Sequence, residues 1–322
     1  MNEKIEGICA EVRMLVEKAV EKNLTEGILL SGGLDTSILA LVASKHVRQK
    51  AFTCAFQRAP APDIEHARLM AERLNLSHYM HFFTEEEFYE AARFVIKTLK
   101  VFDPMEVRNS STIYIGLKLA KDNGVKSVMT GDALDELMAG YPWLFKWKGK
   151  KLELELQKIW DTMVFSSVSI GKAVGVEVKT PYLDLDFKDY AIKLSSKYKI
   201  REENGKMWGK WIMRKAFENF LPAEIAWRRK DPIEVGSGTT TLPNFFNMKI
   251  DDSEFEEKKK KYLEMDKVTI RDKEQLFYYE IYREEIGVPH PEDLNGKICP
   301  QCNSNVPDKS NFCRTCGAYP VY

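Results

Sequence analysis

The sequence predicts an α/β fold: a doubly wound, mostly parallel sheet followed by a helical C-terminal half and a small metal-held module. Three observations predict it. Strand-like and helix-like runs alternate between residues 27 and 130, two glycine-acid segments sit at the ends of strand-like runs, and two Cys-x-x-Cys pairs close the chain. Such alternation builds parallel strands with helices on both faces and leaves ligands at the carboxyl ends of the strands.

Each element has its own signal. Residues 5–22 carry Ile5, Ile8, Val12, Leu15, Val16 and Ala19 at helical spacing, an N-terminal amphipathic helix. The apolar run Gly27-Ile28-Leu29-Leu30 is the first strand, and Ile38-Leu39-Ala40-Leu41-Val42 belongs to the helix after the first glycine segment. Residues 51–56 read as a strand, 66–74 as a helix, 78–83 as a strand, 85–99 and 110–121 as helices, and 127–130 as a strand. From about 144 to 290 the pattern turns mostly helical, with a loop expected over 231–243. The run Lys258-Lys259-Lys260-Lys261 follows Glu254, Glu256 and Glu257 and reads as a solvated helix face. Residues 287–297 read as a linker. The expected domains are a sheet core over 1–143, a helical part over 144–287, a linker over 288–297 and a terminal module over 298–322.

Composition narrows the function classes. With 322 residues, 44% hydrophobic and 30% charged, the chain can bury a sizeable core. Lys+Arg and Asp+Glu balance at 48 each, so no global positive field argues for nucleic acid or an anionic membrane. The start, Met1-Asn2-Glu3-Lys4, has no apolar signal core, and no run approaches the length of a membrane span, so a cytoplasmic protein is expected. In that compartment the six cysteines read as metal ligands or reduced thiols. Cys9 and Cys54, in apolar helix and strand settings, read as small core residues.

The first glycine segment is Ser31-Gly32-Gly33-Leu34-Asp35-Thr36-Ser37. Adjacent glycines let the backbone turn its N–H groups toward an anion, and the hydroxyls of Ser31, Thr36 and Ser37 add donors at a helix N-terminus. No Gly-Lys-Ser/Thr follows, which excludes Walker A, and the Rossmann glycine fingerprint is also missing. The segment resembles the pyrophosphate loop of the PP-loop ATP pyrophosphatases, of the adenine nucleotide alpha hydrolase-like fold. A plain Ser/Gly turn is the competing reading.

The second segment is Gly131-Asp132-Ala133-Leu134-Asp135-Glu136-Leu137-Met138-Ala139-Gly140-Tyr141. Three carboxylates in five residues beside a phosphate cradle call for a cation, and Mg²⁺ bridges carboxylates to nucleotide phosphates, so Asp35 and Asp135 are its natural ligands. This segment resembles the Gly-Asp-Gly-Ala-Asp-Glu-Leu-Phe-Gly-Gly-Tyr signature of asparagine synthetases. Four further segments match that synthetase domain in the same order: 107–112, 175–184, 210–214 (Lys210-Trp211-Ile212-Met213-Arg214) and 221–225, with a closing helix at 273–279.

The resemblance covers about residues 15–287. It implies a ligase in which aspartate's β-carboxylate attacks ATP at the α-phosphorus, releasing pyrophosphate, before ammonia displaces AMP. It further implies that Leu30, Ser31, Gly32, Gly33, Leu34, Asp35, Thr36 and Ser37, with Phe56, Thr130, Gly131 and Lys210, bind ATP and pyrophosphate. Lys210 would neutralise charge on the α-phosphate, Asp132 would guide ammonia or accept its proton, and Arg108 and Asp184 would bind the amino-acid substrate. Each has a plainer reading. Lys210 could be an exposed helix lysine four residues before Arg214, the acids a polar helix N-terminus, and Arg108 and Asp184 buried structural partners.

Departures are also legible. Position 2 is Asn2 where glutamine-dependent members carry a processed cysteine, and the loop begins at Ser31, so no glutaminase domain is expected; free ammonia or a separate glutaminase would then supply nitrogen. The usual Arg-Val-Pro-Phe-Leu-Asp becomes Lys179-Thr180-Pro181-Tyr182-Leu183-Asp184, which removes a bidentate carboxylate fork and leaves the acid substrate open. The first glycine of Gly-Gly-Tyr becomes Ala139.

Cys299-x-x-Cys302 and Cys313-x-x-Cys316, ten residues apart, have the four-thiolate spacing of a zinc ribbon, with structural Zn²⁺; a redox or iron–sulfur role is the competing reading. Several PP-loop enzymes that modify tRNA carry zinc-binding modules, so a second reading is an enzyme that adenylates an RNA base and grips tRNA with the ribbon. A third, a degenerate nucleotide-sensing scaffold, sits poorly with an intact loop, Asp35, Asp135 and Lys210. The oligomeric state stays open.

Overall fold

The computed structural model describes residues 3–322; Met1-Asn2, which enter the signal and glutaminase readings above, lie outside them. The chain forms two compact units that are interleaved along it. The first comprises Met1–Cys54, Pro62–His81 and Gly116–Pro232, and the second Ala55–Ala61, Phe82–Ile115 and Ile233–Tyr322.

A five-stranded sheet organises the first unit. Its strands are β1 (Gly27–Leu29), β2 (Lys50–Phe56), β3 (Ser77–Phe83), β4 (Ser127–Met129) and β5 (Glu177–Lys179), in the order β3-β2-β1-β4-β5. β1 pairs in parallel with β2 and with β4, and β4 in parallel with β5. The order reverses between β1 and β4, and in a doubly wound sheet the crevice at that switch point takes the ligand. Both glycine-acid segments leave from there, one after β1 and one after β4.

The helices follow from local sequence. Glu3–Lys22 buries Cys9, Val12, Val16, Ala19 and Val20, the i, i+3/i+4 stripe expected of an amphipathic helix. Each of the three valines contributes about 1.5–3 kcal/mol when fully buried. Glu85–Leu99 starts at a capping box of Thr84 and Glu87. Pro104–Asp122 begins six residues earlier than the expected 110, because Pro104 suits a first helical position and Asp103 accepts from Glu106 N at 3.2 Å. Leu34–Ala43 likewise starts inside the glycine segment, so Asp35, Thr36 and Ser37 form its first turn.

The region expected to be mostly helical holds three strands: β5, and an antiparallel ribbon of β6 (Arg201–Glu203) and β7 (Lys206–Trp208). Each has three residues, too few for alternation to register. The loop expected over 231–243 is largely helical turns, Ile233–Gly236 and Thr239–Thr241, followed by the helix Leu242–Lys249. Lys258 pairs with Glu254 and Glu280, and Lys259 with Glu256, on the solvated face expected there.

The second unit packs around the helix Lys273–Glu285, which buries Leu276, Tyr278 and Tyr279. The terminal cysteine module belongs to this unit. Phe102 N donates to Thr315 O (2.6 Å), Arg271 Nη2 and Gln275 Nε2 donate to Cys316 O (2.7 and 2.8 Å), and Thr269 N donates to Gln301 O (2.8 Å). Gly317, at φ 78, leaves no space for a β-carbon beside Asp103. The segment before it, expected as a linker, is also tied down: Asp293 N and O bond the Asn305 amide at 2.9 and 2.7 Å.

Candidate active site

The site is built on two turns. After β1 the chain passes through Gly32 at φ 66, where a β-carbon would overlap His66 and Ala67 at the start of the helix Asp63–Arg73. Within the loop, Ser31 Oγ accepts from Gly33 N, and Thr36 Oγ1 accepts from Ser31 N. The first amides of Leu34–Ala43 are left for an anion, at the positive end of a ten-residue helix. Ser37 Oγ is buried without a hydrogen-bond partner. After β4, Gly131 lets the second turn approach the first: its β-carbon would lie 3.1 Å from Asp35 Cβ and from Thr36 Cγ2.

Lys210 joins the turns. Its Nζ is 2.6 Å from Asp35 Oδ2 and 2.6 Å from Asp135 Oδ1, with a side chain only 4% exposed. The surface reading of Lys210 therefore gives way to a buried one. Its backbone is left-handed, φ 54, and its N–H donates to Met138 O at 2.9 Å, which seats it on the acidic turn. Gly140 and Gly209 leave no room there for a β-carbon. Arg214 clamps the far side, donating to the carbonyls of Gly209, Ala226 and Arg228.

The electrostatics are those of a closed charge cluster. Burial pushes the Asp35 carboxyl up, against the pull of Lys210. Burial acts on Asp135 in the same sense, but an ammonium on each oxygen, Lys210 and Lys230, outweighs it and holds Asp135 below the usual carboxylate range. Asp132 Oδ2 accepts from Thr130 Oγ1 at 2.7 Å and from Ser167 Oγ. Burial raises Glu136, whose carboxylate accepts from Tyr141 OH. Tyr182 OH donates to Asp35 O at 2.9 Å.

Among the residues implicated by sequence, Asp35, Asp135, Lys210, Thr36, Gly131 and the Thr130–Asp132 pair are thus brought together. Leu30 and Leu34 are core residues flanking the loop. Phe56, in the second unit, packs at a tilt against Phe83, with ring centroids 5.8 Å apart and planes 37° apart. Arg108, in that unit too, pairs with Glu274 at 2.5 Å. Asp184 pairs with Lys22 at 3.1 Å and caps the helix Leu185–Lys193 through Asp186 N.

Sequence reasoning passed over the segment 228–231. Arg228 Nη1 donates to Ser31 O (3.2 Å) and its Nη2 to Asp63 (2.7 Å) and Asp231 (3.2 Å), while Lys230 Nζ lies 2.8 Å from Asp135 Oδ2. Four consecutive charges read as surface, and only the burial of Arg228 marks them otherwise.

Two donor sets suit metal ions. Asp35 and Asp135 already converge on one cation, an ammonium, and paired carboxylate oxygens are what Mg²⁺ takes alongside phosphate oxygens; the residues fit. In the second unit the four Sγ atoms of Cys299, Cys302, Cys313 and Cys316 lie within 4.8 Å of one another. Cys299–Cys316 and Cys302–Cys313 are 3.7 and 3.6 Å apart, close to the roughly 3.8 Å edge of a tetrahedron with Zn–S bonds of about 2.3 Å.

Comparison with known proteins identifies the family. The family model for asparagine synthase matches residues 11–167 and 149–286. This chain belongs to the asparagine synthase family. A glutamine-hydrolyzing asparagine synthetase of Zea mays is 33% identical over 250 residues, 70% of this chain and 42% of its own length. The glutamine-hydrolyzing asparagine synthetase B of Escherichia coli is 30% identical over 304 residues, 87% of this chain and 54% of its own. The chain thus spans about half the length of the curated relatives it matches. Among solved structures, an NMN synthetase from Francisella tularensis aligns over 87% of this chain and 95% of its own at 14% identity and a TM-score of 0.37, a likeness too remote to weigh. Against the family signature, Ala133 and Ala139 stand at glycine positions, and both adopt left-handed backbone, φ 78 and 55. Among the described residues no helix is long and apolar enough to cross a membrane.

Proposed function

We propose that this chain is an ATP-dependent carbon–nitrogen ligase that adenylates a carboxylate, with aspartate the first candidate, and then transfers ammonia to it. The observation that carries this reading is Lys210 held between Asp35 and Asp135 where the strand order reverses. In the first step a carboxylate oxygen attacks the α-phosphorus of ATP, the bond from that phosphorus to the αβ-bridging oxygen breaks, and pyrophosphate leaves. In the second, ammonia attacks the acyl carbon and loses a proton, and AMP departs with the electrons of the acyl–oxygen bond.

The roles follow from position. The helix amides after Gly33 and the hydroxyls of Ser31, Thr36 and Ser37 bind phosphate oxygens. Lys210 offsets the charge that grows at the α-phosphate in the transition state. Mg²⁺, when bound, would be held by Asp35 and Asp135 and would neutralise phosphate charge. Asp132, held by the Thr130 and Ser167 hydroxyls, would orient ammonia or take its proton.

The test is product analysis. ATP should yield AMP and pyrophosphate only with Mg²⁺, stimulated by aspartate plus ammonium with formation of asparagine, and Asp35→Asn or Asp135→Asn should remove most of it. ADP and phosphate as products would overturn the mechanism. Turnover that requires tRNA and ignores aspartate would favour the base-adenylating reading. That reading leans on the cysteine module, whose contacts with Phe102, Arg271 and Gln275 support a structural role for it instead.

A further inference from the structure

We propose that Ser167 is a positioning residue for the ammonia step, holding the Asp132 carboxylate in the orientation from which it meets ammonia and takes its proton. The inference rests on the adenylating function proposed above. Ser167 is 1% exposed and lies 35 residues beyond Asp132, in the first turn of the helix Ser166–Val174. Its hydroxyl donates to Asp132 Oδ2, the same oxygen that accepts from Thr130 Oγ1 at 2.7 Å. The two donors differ in what they can fix. Thr130 stands two residues before Asp132 on the same turn, so its bond moves with that turn. Ser167 arrives on a separate helix, and its bond ties the carboxylate to a point outside the turn. An oxygen that accepts from two hydroxyls is committed as an acceptor, the form that a proton-taking group requires.

Strand β5 sets both donors in one frame. Gly171, one turn after Ser167, has no room for a β-carbon, which would fall 2.4 Å from Val178 Cγ2 and 2.7 Å from Val176 O, so the helix lies directly on β5 and the residue before it. β5 in turn pairs with β4, and Lys179 O accepts from Thr130 N at 3.0 Å. The hydroxyls of Ser167 and Thr130 are therefore indexed to each other through one short strand. The first turn of a helix also favours a negative neighbour, so replacing the serine takes away one donor and leaves the positive helix end in place. What is lost is the direction of the carboxylate, and the turn that carries it stays where it is.

The experiment compares Ser167→Ala, Ser167→Thr and the exposed control Ser169→Ala with wild type, each as the full chain. Aspartate-dependent exchange of labelled pyrophosphate into ATP reads adenylation, and amide formation at varied ammonium reads the second step. The expected result is that Ser167→Ala keeps exchange within about twofold but loses about tenfold or more in kcat/KM for ammonium. Ser167→Thr, which restores a hydroxyl, should recover most of that loss, and Ser169→Ala should change neither assay. Equal losses in both assays would make Ser167 a structural contact only, and an unchanged ammonium step would show that Asp132 needs no such support; either overturns the proposal. Should Ser167→Ala fail to fold in a thermal melt, Ser167→Cys, a weak donor of similar size, is read by the same criteria. A wild-type chain with neither exchange nor amide formation would count against the adenylating function itself, which separates the two failures.

Discussion

A β-carbon added to Gly140 would overlap Lys210 Cε and, from the other side, Asp135 Oδ1. The glycine is thus a gap that lets the lysine reach both acids. Gly140→Ala should displace Lys210, lower stability by about 1–3 kcal/mol through overpacking, and cut AMP formation by about tenfold or more. Thermal melts read with initial rates check it, and an active, equally stable variant would show that the turn can yield.

Lys210→Ala should lower kcat far more than it raises the KM for ATP, since its contribution grows as charge develops on the phosphate. Lys210→Arg should recover little, because the planar fork cannot occupy the point between Asp35 and Asp135. Steady-state kinetics at saturating Mg²⁺ decide it. A variant with unchanged kcat would leave Lys210 a structural ion-pair partner only.

The second unit should lose stability as pH rises. Burial pushes Glu274 up to about 7 although Arg108 pulls it the other way, so the folded state holds its proton more tightly than the unfolded chain. Its stabilisation is complete below the ordinary value of 4.5 and is lost through about 7. For a side chain 4% exposed this amounts to up to about 3 kcal/mol. Melting temperatures from pH 5 to 8 should therefore fall, and Glu274→Gln should flatten that part of the profile.

One zinc per chain is expected on Cys299, Cys302, Cys313 and Cys316. Because Cys316 O and Thr315 O accept from Arg271, Gln275 and Phe102, removing the metal or residues 296–322 should lower the melting temperature of the second unit by several degrees or more. This replaces the expectation of a module hung on a free linker. Elemental analysis and melts with and without chelator test it, and an unchanged melt would mean the module is dispensable for folding.

What the sequence made legible was whatever repeats or stands out chemically. Strand–helix alternation from Gly27 onward, the paired glycine-acid turns and the cysteine spacing each report one local rule many times over. Three-residue strands do not, and β5 (Glu177–Lys179) has one apolar residue between two charged ones. Lys230 and Arg228 were hidden for another reason: a charged residue's burial depends on partners almost two hundred positions away in Ser31 and a hundred away in Asp135. Ala139 was visible as a departure, but the cost of about 1–2 kcal/mol for a left-handed alanine, there and at Ala133, follows only from their φ of 55 and 78.

The interleaving of the units has a consequence for how the molecule can be taken apart. The chain passes from one unit to the other at five points, after Cys54, Ala61, His81, Ile115 and Pro232. A single cut cannot release either half as a whole, and a protease nick after Ala61, His81 or Ile115 would leave two fragments that each hold stretches of both. Neither half can be translated to completion before the other has begun. An inherited or engineered replacement of one of them would have to exchange three separate stretches of gene at once, so the sheet-bearing and the cysteine-bearing units are bound to travel through evolution as a single transmissible block.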